Sequence, residues 1–128
     1  MSKRTRRAPA IANIKLVFTL LALLAGALLW LAAQSLLEWG AYPSWLLSMS
    51  VVTFLLYGFD KLQAQRQEPR LLRVPEITLH VAAIAGGFMG AWAGMLLFRH
   101  KTRHQLFTIV LLASTVAHAV LAYLLLLR

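Results

Sequence analysis

The sequence predicts an all-α integral membrane protein with four hydrophobic helical segments, and three observations support this class. Hydrophobic residues make up 60% of the 128 residues and charged residues only 13%, more apolar side chain than a soluble domain of this size can bury. The apolar residues fall into four runs, each near the roughly 20 residues that span a bilayer core. These runs are continuous instead of alternating, which favours helices over a barrel.

A basic N-terminal tail is expected before a single helical membrane domain. We assign residues 1–12 to the tail and residues 13–128 to the domain. The first apolar run is too long for a typical signal peptide and lacks a clean cleavage site, so we interpret it as an uncleaved anchor. The predicted segments cover about 14–37, 45–62, 75–98 and 104–127.

Segments one and two are joined by a short predicted turn, Glu38 to Ser44. Its aromatic neighbours, Trp39, Tyr42 and Trp45, are typical of an interfacial aromatic belt. Segment two ends in the pair Asp60 and Lys61. We favour an interfacial anchor, with Lys61 snorkelling to the membrane surface. The alternative is that Asp60 neutralises or orients another polar cluster.

Segment three is Gly-rich, with Gly86, Gly90 and Gly94 at four-residue spacing. If it spans the membrane, the cations that follow it lie outside. If it is broken or re-entrant, every cation before the last residue lies on one side, as the positive-inside rule favours. We therefore favour a broken or re-entrant segment, whose non-helical backbone must be buried in protein. An ordinary spanning helix that uses these glycines as a packing face is the alternative.

Two more polar clusters are candidate binding sites. In the first, which begins at Arg73, Glu76 and His80 are four residues apart and share a helical face, and Glu76 also suits the first helical turn. The second cluster contains Arg99, His100, Lys101 and Thr102. Its cations suit an anion at a helix start and repel a divalent metal, so we predict no metal site. For His118, mid-segment, we predict a hydrogen bond between packed helices.

These motifs occur in a recognisable order: Tyr57–Lys61, Arg73–Glu76 with His80, Gly86–Gly87, and Phe98–Thr102 with Phe107. Together they resemble an uncharacterised bacterial family of small membrane proteins, a domain of unknown function of which some members carry a cold-shock domain. The resemblance covers roughly Leu47–Leu124. It implies an integral membrane domain with a recurring polar set and no established activity: Asp60, Lys61, Arg73, Glu76, His100, Lys101 and Thr102. The region before it supplies an anchor and a basic tail, so we expect no nucleic-acid partner.

The expected function is binding of a phosphate-bearing anion or lipid head group at the cytoplasmic face of the bacterial inner membrane, with the N-terminus cytoplasmic. Arg73, Arg99, Lys101 and Thr102 would contact the anion, while Asp60 and Glu76 would hold the cations. Anionic membrane lipids are the expected partners, besides a homo-oligomer or another membrane protein; no cofactor is expected and no catalytic residue is assigned. One alternative is a membrane enzyme acting on a lipid or phosphate ester, with His100 or Glu76 as acid–base. Another is a structural or accessory subunit that packs through Gly86, Gly90 and Gly94.

Overall fold

The computed structural model describes residues 7–65, 74–98 and 105–127, with side chains from residue 13 to 63 in the first range. Among these residues, four stretches are long and apolar enough to cross a membrane, which confirms the all-helical prediction. The elements are α1 (Arg7–Leu36), α2 (Ala41–Gln65), α3 (Glu76–Ala82), a π-helical turn (Ala83–Gly87), α4 (Phe88–Leu97) and α5 (Gln105–Leu126).

Two helix starts differ from the sequence prediction. Helix α1 begins at Arg7, inside the predicted tail, and α2 begins at Ala41 instead of Trp45. Pro43 permits this early start because it lies in the first turn of α2, where a missing N–H removes no helical hydrogen bond. The connection between the two helices is therefore shorter than predicted, and Gly40 closes it with a φ of 88°.

Segment three is not one continuous α-helix. The third candidate membrane span, Glu76–Leu97, is 22 residues long only when α3, the π-helical turn and α4 are counted together. Gly86 interrupts the helical backbone with φ 137° and ψ −4°. A side chain would be strained at this φ, whereas glycine adopts it readily. The backbone therefore changes direction at Gly86.

The two ends of segment three return to the same place on α2. The Val74 N–H donates a hydrogen bond to Asp60 Oδ1 at 3.1 Å, and Lys61 Nζ donates one to the Phe98 carbonyl. A straight helix would separate Val74 from Phe98 by about 36 Å. Two adjacent side chains cannot bridge that distance, because their Cα atoms lie only about 3.8 Å apart. Helices α3 and α4 are thus the arms of a hairpin that turns at Gly86.

The glycines of segment three pack against α2 of the same chain. A Cβ on Gly90 would overlap the Ser50 carbonyl, and one on Gly94 would lie 2.7 Å from Tyr57 Cβ. Both glycines are buried, so α4 lies against the backbone of α2. This face is filled within the molecule, and the structure gives no support to a partner helix packing through it.

Helix α5 closes a small core over the hairpin. The buried side chains come from several elements: Tyr57, Val74, Leu79, Ala83, Ala91, Met95, Phe107 and Leu111. The outward sides of α1 and α5 are apolar and exposed, as at Leu16, Leu24, Leu112 and Val116. So much exposed apolar surface suits hydrocarbon better than water.

Candidate functional site

Two groups of polar contacts lie at different positions along α2. The first, here called the α2-end site, consists of Asp60, Lys61, Val74, Glu76 and Phe98. The second, the hairpin tip, consists of the backbone of Ile84–Gly86 and the side chains bonded to it. The α2-end site contains three of the four predicted ligand-binding residues that the structure describes. At the hairpin tip, only Gly86 was predicted as a site residue, and it was predicted for helix packing.

Asp60 is fully buried, with 0% of its surface exposed. Its Oδ1 accepts the Val74 N–H, so the carboxylate fixes the start of segment three. The predicted interfacial anchor is wrong for Asp60, because an anchor would be exposed at the membrane surface. Burying a carboxylate is costly unless hydrogen bonds or charges compensate it, which favours the interpretation that Asp60 orients another part of the site.

Lys61 joins the end of α2 to the end of α4. Its ammonium donates to the Phe98 carbonyl and lies 6.0 Å from the centroid of the Phe98 ring. The last carbonyls of a helix have no partner within that helix, so Lys61 caps α4. An ammonium has three donor hydrogens, and its charge remains at this end of the bundle.

Glu76 and His80 extend the site along α3. Glu76 is exposed in the first turn, and His80 is half-buried one turn later. The His80 ring packs on Phe107 of α5 with 4.3 Å between centroids. Phe107 in turn meets the edge of Tyr57, one turn before Lys61 on α2. The structure therefore gathers Asp60, Lys61, Glu76 and His80 at one end of the bundle.

The remaining predicted ligand-binding residues lie outside the described residues. Their neighbours in the chain are described: Val74 is held by Asp60, and Phe98 is held by Lys61. Five residues therefore stay predictions only: Arg73, Arg99, His100, Lys101 and Thr102.

At the hairpin tip, three consecutive backbone carbonyls accept hydrogen bonds from side chains of other helices. An interrupted helix leaves carbonyls without regular partners, and a buried polar group needs one. Donors from α2 and α5 meet this need. The bonds are His118 Nε2 to Ile84 (2.8 Å), Trp45 Nε1 to Ala85 (2.6 Å) and Ser50 Oγ to Gly86 (3.5 Å).

His118 ties α5 to both α2 and the hairpin. Because a carbonyl can only accept, Nε2 donates to Ile84, and in the neutral ring Nδ1 accepts the Tyr42 hydroxyl at 2.8 Å. Phe88 stacks on the imidazole with centroids 5.0 Å apart. The prediction of a hydrogen bond between helices is confirmed. Tyr42 and Trp45, which were predicted for an interfacial belt, both donate hydrogen bonds to other helices of the bundle.

Sequence reasoning missed Trp45 and Ser50 as supports of the hairpin. Their signal was weak, because each looks ordinary until the carbonyls of Ala85 and Gly86 are known to lack helical partners. Among the side chains that the structure describes, no group of three His, Asp or Glu residues could hold a metal. The described part of the α2-end site contains the Lys61 ammonium, the buried Asp60 carboxylate and the exposed Glu76 carboxylate.

Comparison with known proteins identifies the family of this chain. A family model described as "Protein of unknown function (DUF1294)" matches residues 50–107. The uncharacterized protein YsdA of Bacillus subtilis (strain 168) is 38% identical over 64 residues, which cover 50% of this chain and 68% of that protein. The chain belongs to the DUF1294 family. No solved structure is significantly similar to it.

The DUF1294 match begins within α2 and ends in the first turn of α5. It contains the whole hairpin and every residue of the α2-end site. Tyr42, Trp45 and His118, which support the hairpin tip, lie outside the matched range. The DUF1294 region of this protein is thus the hairpin together with the α2 segment that holds both of its ends.

Proposed function

We propose that this protein binds a phosphate-bearing anionic ligand at the α2-end site, on the cytoplasmic face of the bacterial inner membrane. The observation that carries the proposal is the return of both ends of the hairpin to Asp60 and Lys61. These contacts hold Val74 and Phe98 at one short stretch of α2, and the sequences next to these two residues contain most of the internal cations.

The charges near this stretch favour an anion. Arg73 directly precedes Val74 in the sequence, and Arg99 directly follows Phe98. With Lys61 and Lys101, they outnumber Asp60 and Glu76. Arginine and lysine bind phosphate oxygens through charge-assisted hydrogen bonds, and the Thr102 hydroxyl would add a neutral donor. Asp60 and Glu76 would hold the cations in place between binding events.

The hairpin also supports a topology. If α1, α2 and α5 cross the membrane and the hairpin enters and leaves on one side, every cation before Arg128 lies on the side of the N-terminus. The positive-inside rule makes that side cytoplasmic. The cytoplasmic leaflet carries anionic lipids that attract basic segments, so a lipid head group is an available ligand for this site.

Native mass spectrometry of the purified protein tests the proposal. Wild type is expected to retain an anionic phospholipid, and Arg73→Ala and Lys101→Ala each to weaken retention. A hydrogen bond to a charged group contributes about 1.5–3 kcal/mol, which corresponds to a loss of about ten- to a hundredfold in affinity. Arg128→Ala is the matched control, because it removes one cation from the other end of α5. Equal retention by all four proteins would contradict the proposal.

A further inference from the structure

An apolar groove runs along the outer side of α2, beside the end of α4. Its volume is about 500 Å³, within the usual range for sites that bind small molecules. The walls are formed by Phe54, Leu55, Gly58, Phe59, Leu62 and Phe98, and Lys61 also lines the groove. Of the predicted site residues that the structure describes, only Lys61 lines this groove.

We propose that this groove holds one acyl chain of an anionic phospholipid whose phosphate binds Lys61 at the α2-end site. The inference rests on the proposed function and names its ligand as a phospholipid instead of a free phosphate. It adds a second contact region, which a soluble phosphate ester could not use.

The position of the groove matches the hydrocarbon of a membrane. Leu55 and Leu62 are 62% and 61% exposed, so the groove opens on the outer surface of the bundle instead of into its core. In the proposed topology that surface faces lipid. An acyl chain can therefore enter sideways from the bilayer without breaking any contact within the protein.

The positive charge of Lys61 beside the groove favours an anionic lipid. The Lys61 stem lies along the apolar wall and its ammonium reaches the Phe98 carbonyl at the end of α4. This carbonyl takes one of the three ammonium hydrogens, which leaves donors for phosphate oxygens. Hydrocarbon contacts alone do not discriminate between lipids, since every lipid supplies them. The phosphate contact must therefore provide the preference.

Gly58 and Phe98 shape the groove. A Cβ on Gly58 would lie 3.1 Å from Phe98 Cζ, so a larger residue would press on that ring. Phe98 also packs against Phe54, with ring centroids 5.1 Å apart. The wall nearest Lys61 is thus made of two aromatic rings held against α2, a fixed surface against which a flexible chain can pack.

Filling the groove tests the inference. Leu55→Trp and Leu62→Trp place an indole in or across it, and both positions are exposed, so folding should be preserved. Leu112→Trp is the matched control, since Leu112 is 53% exposed on α5, away from the groove. Retention of phosphatidylglycerol and phosphatidylcholine is measured by native mass spectrometry, and binding of glycerol phosphate by calorimetry. The first two variants should retain phosphatidylglycerol about tenfold less well than wild type and Leu112→Trp, a change of about 1.4 kcal/mol.

The outcomes separate this inference from the proposed function. Unchanged phosphatidylglycerol retention in Leu55→Trp and Leu62→Trp would overturn the inference that the groove binds an acyl chain. Retention of phosphatidylcholine by wild type at the level of phosphatidylglycerol would overturn the preference for an anionic lipid, and the inference with it. Loss of phosphatidylglycerol in these two variants, with glycerol phosphate binding unchanged, would support it. If wild type binds neither phosphatidylglycerol nor glycerol phosphate, the proposed function itself fails and the inference fails with it.

Discussion

Asp60 shows how one buried carboxylate can position a backbone segment. It lies at the polar end of a membrane-length helix, yet it is fully buried and accepts the N–H of Val74, just before segment three. Lys61, the next residue, contacts the other end of the same segment. Side chains of adjacent residues on a helix point in different directions. One Asp–Lys pair can therefore hold two parts of the chain that are distant in sequence.

Two substitutions of Asp60 distinguish the contribution of its hydrogen bond to stability from the contribution of its charge. Asp60→Ala leaves the buried Val74 N–H without its acceptor and should lower the free energy of unfolding by about 1–3 kcal/mol. Asp60→Asn keeps an acceptor oxygen and should retain most of that stability. Thermal unfolding in detergent, followed by circular dichroism, measures both. If the two variants lose the same amount, the negative charge and not the hydrogen bond is what holds segment three.

At the scale of the element, the hairpin depends on one backbone conformation and on three donors. Gly86 provides the turn, with φ 137°. The carbonyls around it are bonded by side chains of α2 and α5, so the interrupted backbone is satisfied inside the protein. This arrangement is what a break at membrane depth requires, because hydrocarbon offers no replacement partners.

Alanine substitutions can separate strain from crowding in this hairpin. Gly86→Ala imposes a positive φ on a side chain and brings a Cβ within 3.1 Å of Trp45 Nε1. It should cost about 1–3 kcal/mol of stability from backbone strain alone. Gly40→Ala is the matched control, because its φ is also positive, 88°, while nothing lies within 4 Å of the new Cβ. The midpoint of thermal unfolding should fall further for Gly86→Ala, and equal shifts would show that contacts at the hairpin tip contribute nothing.

At the scale of the whole molecule, the proposed topology depends on the hairpin. If α1, α2 and α5 cross the membrane and segment three folds back within it, we expect the sequence between α4 and α5 on the side of the N-terminus and the C-terminus on the other side. A spanning segment three would reverse both positions. The topology of the last third of the chain thus depends on the geometry around Gly86.

Single-cysteine labelling distinguishes the two topologies cleanly, since the chain has no cysteine. In intact cells, a membrane-impermeant thiol reagent should label Leu127→Cys and leave Thr102→Cys unlabelled until the membrane is permeabilised. Glu38→Cys, in the connection between α1 and α2, is the control and should be labelled in intact cells under either topology. Labelling of Thr102→Cys without labelling of Leu127→Cys would contradict the re-entrant arrangement.

The class of the protein and the number of its apolar segments could be predicted from the sequence, because both follow from the amount and spacing of apolar side chains. The four-residue spacing of Gly86, Gly90 and Gly94 predicted a close helix contact, and the loop charges favoured a broken segment. Neither signal identified the partner of the glycines. That partner is α2 of the same chain, where a Cβ on Gly90 would meet the Ser50 carbonyl.

Four hydrophobic helical segments and a net charge of +9 can be read from the amino acids alone, as can a family whose polar residues recur in order. The burial of Asp60, the contacts of Val74 and Phe98 with adjacent residues of α2, and the hydrogen bonds at the hairpin tip became visible in the folded chain. The two differ because helix formation and apolar burial depend on local composition. The direction of a chain after a positive-φ glycine depends on contacts between residues far apart in sequence.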